Sequence, residues 1–299
     1  MSHEPILLMR GINKTFPGVH ALKNVDFTLR RGQIHALMGE NGAGKSTLIK
    51  VLTGVYPGDG GAMTMEGRQI APSSPRDAES HGISTVYQEV NLIPHLTVAE
   101  NICLGREDRT AGIIRWGRLR ERARNALRRL ELKVGIDVDR QLSECSIAVQ
   151  QMVAIARALD VDAKALILDE PTSSLDEAEA DELFRIMHGL RDRGMGIIFV
   201  THFLDQVYRV SDAITVLRNG ELVGEFPAAE LPRLDLVSKM MGKHIEEVKR
   251  LEKRAVATTE SGRKTVVSLR RVGRKGSLNP IDFDLNEGEV RGLAGLLGS

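Results

Sequence analysis

The sequence predicts an α/β fold in which buried strands alternate with helices. Short apolar runs at 34–38, 165–168 and 196–200 have the length of buried strands. Apolar residues at helical spacing occupy 146–159 and 177–192, which lie between these runs. In addition, a glycine-rich stretch joins the first of these runs to a helix. Together these features predict an open α/β sheet with ligand-binding residues at the C-terminal ends of its strands.

The remaining elements follow from local signals. Val25–Leu29 alternates apolar and polar residues as a half-buried strand does. Thr97 and Glu100 form a capping-box pattern at the start of a mostly helical stretch, 97–132. Asn219 and Gly220 predict a tight hairpin turn. In chain order, the predicted strands are 6–9, 25–29, 34–38, 62–65, 82–87, 165–168, 196–200, 213–217 and 222–225.

Composition indicates an ordinary globular protein. The 299 residues are 42% hydrophobic and 27% charged, with a net charge of +1, so no global charge favours nucleic acid or an anionic membrane. Two cysteines, Cys103 and Cys145, argue against a disulfide scaffold and suit a reducing cytosol. The first residues show no signal-peptide pattern. No apolar run approaches the roughly 20 residues that span a bilayer. We expect a soluble protein that acts at a membrane only through a partner.

The stretch from Gly39 to Thr47 has the pattern of a phosphate-binding loop between a strand and a helix. Its glycines, at 39, 42 and 44, allow several backbone N–H groups to point at one anion. The following helix adds the positive end of its dipole. Lys45 would reach the β- and γ-phosphates, and the Ser46 hydroxyl would bind Mg²⁺. The alternative is a glycine-rich turn without a ligand.

Polar residues end two of the buried strands. Asp169 and Glu170 follow 165–168, and His202 follows 196–200. Two carboxylates at a strand end can take separate roles, one in metal binding and the other in water activation. Alternatively, they could cap a helix. His202 taken alone could be a satisfied buried histidine. Phe16, in a predicted turn at 14–18, could be a core residue or a platform for a purine.

The rest of the chain suggests a linker and a repeat. The arginine-rich helix at 118–130 could contact nucleic acid or form a solvated face; because no aromatic residue is interleaved, the second interpretation is favoured. Charged residues at 243–264 predict a linker. Residues 281–295 then repeat the pattern of 25–39, and the register continues to Ser299, opposite Ala43. A second copy of the first domain therefore begins near residue 265.

The order of these motifs resembles that of ABC-transporter ATPases, in particular the duplicated ATP-binding subunits of bacterial ribose, galactose and arabinose importers. The segments that carry the closer resemblance are 16–22, 86–102 and 150–159. The resemblance implies a P-loop NTPase fold, with a RecA-like core, an antiparallel β subdomain and an inserted α-helical subdomain at about 90–160. It also implies a first ATPase domain at 1–242, a linker at 243–264 and the start of a second domain at 265–299.

The same resemblance implies roles for matching residues and an ATPase activity. Phe16 would stack on adenine, which favours the platform interpretation. Asp169, Ser46 and Gln88 would serve the Mg²⁺ shell. Gln88 would also act in catalysis by sensing the attacking water and would link the site to the membrane subunit, and Glu170 would be the base or would polarise that water. His202 would contact the γ-phosphate, and Lys45 would assist catalysis. The residues implied to hold ATP are Phe16, Gly39, Asn41, Gly42, Ala43, Gly44, Lys45, Ser46, Thr47 and Ser146.

One motif departs from the family pattern. The signature Leu-Ser-Gly-Gly-Gln is replaced by 145–149, Cys-Ser-Ile-Ala-Val, so only Ser146 is kept. A side chain at Ala148 limits how closely that helix end can approach a phosphate. Since each family site pairs one P-loop with the signature of another domain, we expect this chain to bind Mg-ATP and hydrolyse it weakly.

The resemblance also implies partners and a location. Expected partners are membrane permease subunits, a periplasmic or extracellular sugar-binding protein that acts through them, and a second ABC domain or a second copy, but no nucleic acid. The expected location is peripheral, at the cytoplasmic face of the inner membrane, with 91–101 in the permease-docking groove. The alternatives are a non-transport ABC ATPase, which usually has an intact signature and a long basic linker or zinc-binding cysteines, and a catalytically silent nucleotide-binding partner.

Overall fold

The computed structural model describes residues 4–87, 91–132, 135–243, 264–274 and 278–292. The chain divides into two compact units, Met1–Gly242 and Lys243–Ser299, which are treated separately below. Within the described ranges, no helix combines the length and apolar character needed to cross a bilayer.

The strands are β1 (Pro5–Phe16), β2 (Val19–Arg30), β3 (Ile34–Met38), β4 (Gly60–Met65), β5 (Arg68–Ile70), β6 (Ile83–Val86), β7 (Arg109–Thr110), β8 (Ile113–Ile114), β9 (Ala165–Asp169), β10 (Gly196–Val200), β11 (Ala213–Arg218), β12 (Glu221–Pro227), β13 (Thr265–Arg274) and β14 (Leu278–Asn286). The helices are α1 (Lys45–Leu52), α2 (Pro75–Ser80), α3 (Val98–Cys103), α4 (Trp116–Arg128), α5 (Ile147–Asp160), α6 (Glu177–Asp192), α7 (Leu204–Val210) and α8 (Arg233–Met241), with 3₁₀ turns at Leu142–Glu144 and Ala228–Glu230.

A six-stranded sheet forms the centre of the first unit, in the order β12-β11-β3-β10-β9-β6. Strands β11, β3, β10, β9 and β6 are parallel, and β12 pairs antiparallel with β11. The apolar runs of β3, β9 and β10 are buried, as expected of parallel strands covered on both faces. Because parallel strands end at a common edge, the segments after β3, β6, β9 and β10 emerge together.

A second sheet, in the order β2-β1-β4-β5, is antiparallel and packs one face onto α1. Leu7, Met9 and Phe27 on that face are almost completely buried against Leu48 and Leu52 of the helix. Strand β1 continues to Phe16, so the turn that the sequence predicted at 14–18 is confined to residues 17 and 18.

Helices α3, α4 and α5 form a separate helical layer around a shared apolar core. The capping box of Thr97 and Glu100 at the start of α3 is confirmed. The prediction of a mostly helical 97–132 is wrong in its middle, where β7 and β8 form a hairpin. Ala111 and Gly112 both have positive φ in its turn, which ends any helix locally.

A buried ion cluster ties this layer together. The Asp160 side chain is only 4% exposed and lies between two arginines. Its Oδ1 accepts a hydrogen bond from Arg122 Nε at 2.6 Å, and its Oδ2 lies 3.3 Å from Arg106 Nε. Both guanidinium groups also donate to backbone carbonyls of the same layer. A charge that is buried in this way depends on its partners for compensation.

The second unit contains the antiparallel hairpin of β13 and β14. Its pairing reproduces that of β1 and β2, position by position. The matched pairs are Leu7–Leu29 with Val267–Leu285, Met9–Phe27 with Leu269–Phe283, and Ile12–Val25 with Val272–Ile281. The strand register shifts between Met9 and Ile12 and, in the same way, between Leu269 and Val272. At this shift an aspartate carboxylate accepts a hydrogen bond from a backbone N–H in both copies, Asp26 from Gly11 at 2.8 Å and Asp282 from Arg271 at 2.7 Å. The sequence repeat thus extends to the backbone over these residues.

Candidate functional site

The glycine loop lies between the end of β3 and the start of α1, in contact with neighbouring backbone. Gly39 has φ +153°, and a Cβ there would overlap the Leu217 carbonyl oxygen and lie 2.8 Å from Ala43 Cβ. Gly44 has φ +106°, and a Cβ there would lie 2.9 Å from the Ala21 carbonyl oxygen. Both positions therefore require glycine for conformation and for space. The backbone of the loop is therefore restricted to this conformation.

The first turn of α1 is open to a ligand. Gly44 is the N-cap, and no side chain caps the helix. Its first N–H groups consequently lack a side-chain acceptor at the end of the helix where an anion is stabilised. Asn41 and Ser46 are exposed, Thr47 and Lys45 are half-buried, and Ala43 is buried.

Lys45 folds back over the loop. Its Nζ donates to the backbone carbonyls of Gly39 at 2.7 Å and Glu40 at 3.0 Å. Burial lowers the pKa of the ammonium, while the charges of Glu170 and Asp169 raise it. The Lys45 ammonium is partly desolvated and is bonded here only to neutral carbonyls. An approaching phosphate would therefore stabilise its charge through a charge-assisted hydrogen bond.

Asp169 is the last residue of β9, opposite Val200 on β10. Burial raises the pKa of its carboxyl, and the Glu170 charge adds to this, whereas Lys45 and Lys50 lower it. The contribution of Lys50 was not predicted from the sequence, although its place one helical turn after Ser46 could have indicated it. Helix α6 begins at Glu177 with Asp176 as its cap, so Asp169 and Glu170 are not a helix-capping pair.

Glu170 leaves the strand with φ +48°, an unusual conformation for a residue with a side chain. Its N–H donates to the Val200 carbonyl at 2.8 Å, and its Oε1 lies 3.1 Å from Nδ1 of His202. The His202 side chain is 59% exposed, so it is not a satisfied buried histidine. Its ring also packs on Phe203, with 4.0 Å between ring centroids. The arrangement presents a carboxylate and an imidazole side by side to solvent.

Phe16 lies in the second sheet, half-buried. Its ring meets Tyr56, which follows α1, edge-on at 5.2 Å, and Lys14 Nζ lies 5.4 Å from its centroid. Phe16 is thus supported by Tyr56 and Lys14 and remains partly exposed. The sequence did not indicate Tyr56 as its support, because the two residues are 40 positions apart.

Ser146, a predicted site residue, is not brought to this edge by the described contacts. Ser146 is exposed at the N-cap of α5, where its Oγ accepts from the Val149 N–H at 3.3 Å. Ile147 beside it is 51% exposed. In the described ranges, no hydrogen bond joins Ser146 to the glycine loop. Gln88 lies outside the described residues, as do 293–299 of the repeat and most of the predicted linker.

The residues present suit a magnesium ion held largely by a nucleotide. Across the described ranges, no three histidine, cysteine, aspartate or glutamate side chains gather as a metal cluster. The Ser46 hydroxyl and the Asp169 carboxylate offer oxygen ligands of the kind that Mg²⁺ prefers, and phosphate oxygens would complete its shell. When bound, Mg²⁺ neutralises charge on the phosphates.

Comparison with known proteins agrees with this geometry. The ABC transporter family model matches residues 22–173. The galactofuranose transporter ATP-binding protein YtfR of Escherichia coli K12 is 51% identical over 297 residues, and the fructose import ATP-binding protein FruK of Bifidobacterium longum is 49% identical over 296. Each alignment covers 99% of this chain and 58% of the relative. The chain thus spans little more than half the length of these relatives.

Solved structures agree in fold. The ADP conformation of MJ1267, an ATP-binding cassette of an ABC transporter, superposes with a TM-score of 0.68 at 27% identity, over 83% of this chain and 99% of that one. A nucleotide-free ATP-binding cassette from an ABC transporter gives a TM-score of 0.66 at 26% identity, over 87% and 100%. The predicted α/β P-loop NTPase fold is confirmed. The chain belongs to the ABC transporter family of ATP-binding proteins.

Proposed function

We propose that this chain is the ATP-binding motor part of a bacterial ABC importer for a monosaccharide, a pentose or a hexose. One observation carries the proposal: the glycine loop with Lys45, Asp169 and the Glu170–His202 pair all lie at the carboxyl ends of neighbouring parallel strands. The names of the sugar-import relatives support the transport role. In this role the chain lies peripherally at the cytoplasmic face of the inner membrane, on permease subunits that receive sugar from a binding protein.

The residues divide the work of phosphoryl transfer to water. The loop N–H groups and Lys45 hold the phosphates, and Phe16 stacks on adenine. Ser46 and Asp169, with Gln88, serve the Mg²⁺ shell. Glu170 accepts a proton from, or polarises, the attacking water, and His202 stabilises charge on the γ-phosphate. Such reactions depend mainly on positioning and charge neutralisation, and these are the tasks that the proposal assigns to these residues.

We also propose that this chain hydrolyses ATP weakly alone. ABC sites are completed by a signature helix from a second domain, and the signature here carries exposed Ile147 and the side chains of Ala148 and Val149. These atoms keep the N-terminus of α5 away from a phosphate. A working site would therefore pair this P-loop with Ser-Gly-Gly-type residues of another ABC domain or chain.

A division into a domain at 1–242, a linker at 243–264 and the start of a second ATPase domain at 265–299 belongs to the same proposal. The matching strand registers of β1–β2 and β13–β14 support it. Val267 and Ile281 are 41% and 40% exposed, whereas their counterparts Leu7 and Val25 are fully buried. A sheet face of this kind normally packs onto further elements.

The segment 91–101 is our proposed part of the permease-docking groove. The Asn101 side chain, which is fully buried, accepts from the Ile93 N–H at 2.7 Å and donates to the carbonyls of Ile93 and Thr97 at 3.0 Å. These bonds fix the loop before α3, while Ile93 remains 42% exposed. Charge substitutions on the exposed positions should prevent assembly with permease subunits in detergent, and intact assembly would refute the assignment.

Calorimetric titration with Mg-ATP tests the nucleotide site directly. Wild type should bind, and Lys45→Ala should bind more weakly because a cation–phosphate contact is lost. Lys239→Ala is the matched control, since Lys239 lies on α8 beside Phe226 and is remote in sequence from every site motif. Equal affinity of all three proteins would contradict the proposed site.

A further inference from the structure

The loops that carry Glu170 and His202 share one hydrogen-bond acceptor outside the motifs already described. Gln206 lies in the first turns of α7, four residues after His202. Its Oε1 accepts from the Thr172 hydroxyl at 2.6 Å and from the Thr201 hydroxyl at 3.4 Å. Thr172 is two residues beyond Glu170, and Thr201 immediately precedes His202.

Both hydroxyls are removed from water. Thr172 is 4% exposed and Thr201 is 3% exposed. A buried hydroxyl without a partner is costly, so each threonine depends on its acceptor. The Thr201 hydroxyl also accepts from the Phe203 N–H at 3.1 Å, which extends the contact across both sides of His202. One amide oxygen therefore ties the Glu170 loop to the His202 loop.

Helix α7, which carries Gln206, is held in place by its own contacts. Val207 and Val210 of α7 are buried in the core of the first unit. Arg209, on the same helix, pairs with Asp181 of α6 at 2.6 Å and lies over the Phe184 ring. An acceptor on an anchored helix can hold a geometry that two short loops would not keep alone.

We infer that Gln206 is a positioning residue for ATP hydrolysis, which sets the distance between the Glu170 carboxylate and the His202 imidazole. This inference rests on the proposed function of that pair. Within the described residues, no hydrogen bond joins Gln206 to either side chain; it acts through Thr172 and Thr201. Small errors in such a geometry reduce turnover strongly while leaving phosphate binding at the glycine loop intact.

Three variants at Gln206 distinguish the effect of its hydrogen-bond acceptor from the effect of its side-chain volume. Gln206→Leu keeps the volume and removes the oxygen, Gln206→Glu keeps an oxygen acceptor, and Gln206→Asn shortens its reach. Thr53→Val is the matched control, because Thr53 is also buried and its hydroxyl donates to the Ile49 carbonyl at 2.9 Å, away from both loops.

Amide hydrogen exchange is measured on all four variants and wild type, with no nucleotide present. The reporters are the N–H groups of Glu170 and Ser173 on one loop and Phe203 on the other. We expect Gln206→Leu to exchange about tenfold faster at both loops, since the openings there lose a shared bond. Gln206→Glu should exchange like wild type, Gln206→Asn should lie between the two, and Thr53→Val should leave all three reporters unchanged.

Single-turnover phosphate release and Mg-ATP affinity are measured on the same samples, with Glu170→Gln as the background. Gln206→Leu should lower the rate about ten- to a hundredfold without changing affinity, and Gln206→Glu should restore it. If wild type releases nothing above background, the exchange data alone decide.

Unchanged exchange in Gln206→Leu, or equal effects of the leucine and glutamate variants, would overturn the inference. An effect of Thr53→Val on the same reporters would also overturn it, because it would show a general loss of stability. Failure of wild type to bind Mg-ATP would instead refute the proposed function and leave the exchange result standing.

Discussion

Removing the His35 imidazole should flatten the acid side of the stability profile. His35 is fully buried on β3, with Nε2 2.7 Å from the Thr215 hydroxyl on β11 and the Phe27 ring at 4.9 Å. Its Nδ1 is buried without a hydrogen-bond partner among the described residues. Burial, with a smaller contribution from the Arg30 charge, lowers the pKa of His35 from 6.5 to about 3.

The direction follows from proton binding. A histidine whose folded pKa lies below its unfolded value takes up a proton more readily in the unfolded chain, so stability is present above pH 6.5 and is lost as the pH falls from there toward 3. At pH 5 the unfolded side chain is mostly protonated and the folded one is not. The loss between pH 7 and pH 5 is about 2 kcal/mol from this residue.

Urea unfolding at pH 5, 6 and 7 measures this loss. The comparison protein is the double variant His35→Leu, Thr215→Val, which removes the imidazole and its hydroxyl partner together and so leaves no unpaired group. All other titrating groups are shared and cancel in the difference. Wild type should lose about 2 kcal/mol more than the variant between pH 7 and pH 5. Parallel profiles for the two proteins would refute the assignment of a buried, neutral His35.

Three further substitutions, one of them with a matched control, test other parts of the account. Gly39→Ala should lower Mg-ATP affinity and destabilise the chain by about 2 kcal/mol or more in urea unfolding, because its Cβ overlaps a backbone carbonyl; unchanged binding would contradict this. Lys45→Ala should weaken Mg-ATP binding about 10- to 100-fold in calorimetry through a lost charge-assisted bond, with unchanged affinity as the contrary result. Asp160→Asn should lower the free energy of unfolding by about 3–5 kcal/mol, because two arginines lose a buried partner. The matched control is Asp162→Asn, at an 84% exposed carboxylate, which should lower it by less than about 1 kcal/mol. Equal losses in the two variants would contradict this expectation.

Local sequence signals predicted much of the fold because several elements carry their own boundaries. Helix α6 begins and ends at the predicted residues, Glu177 and Asp192, and Asp176 caps it with a capping box. The hairpin at Asn219 and Gly220 also forms as predicted, and both residues have positive φ. In each case the decisive interaction lies within a few residues of chain.

The β7–β8 hairpin was not predicted, because the capping box at Thr97 and the helical spacing at 118–130 favoured a mostly helical assignment for the whole stretch. Ile114 packs on the core of the helical layer, and Ala111 adopts a positive φ that its residue type does not predict. The tertiary contact overrides the local pattern there.

The strand-end positions of the candidate site residues could be predicted individually, but their mutual contacts could not. The glycine loop, Asp169, Glu170 and His202 are recognisable because each follows a buried strand. The 3.1 Å contact of Glu170 with His202 depends on β9 and β10 being neighbours in the sheet, which no local pattern states. The same is true of Gln206, whose partners come from two different loops.

Phosphate release by this chain, with Mg-ATP affinity measured on the same samples, tests the central claim most directly. Wild type and Glu170→Gln should both bind Mg-ATP, and multiple turnover by wild type should be slow, because the signature residues 145–149 do not complete the proposed site. Rapid multiple turnover by wild type that disappears in Glu170→Gln would contradict the weak-hydrolysis claim and show that these residues still serve as a signature. Absence of Mg-ATP binding in both proteins would contradict the nucleotide site itself.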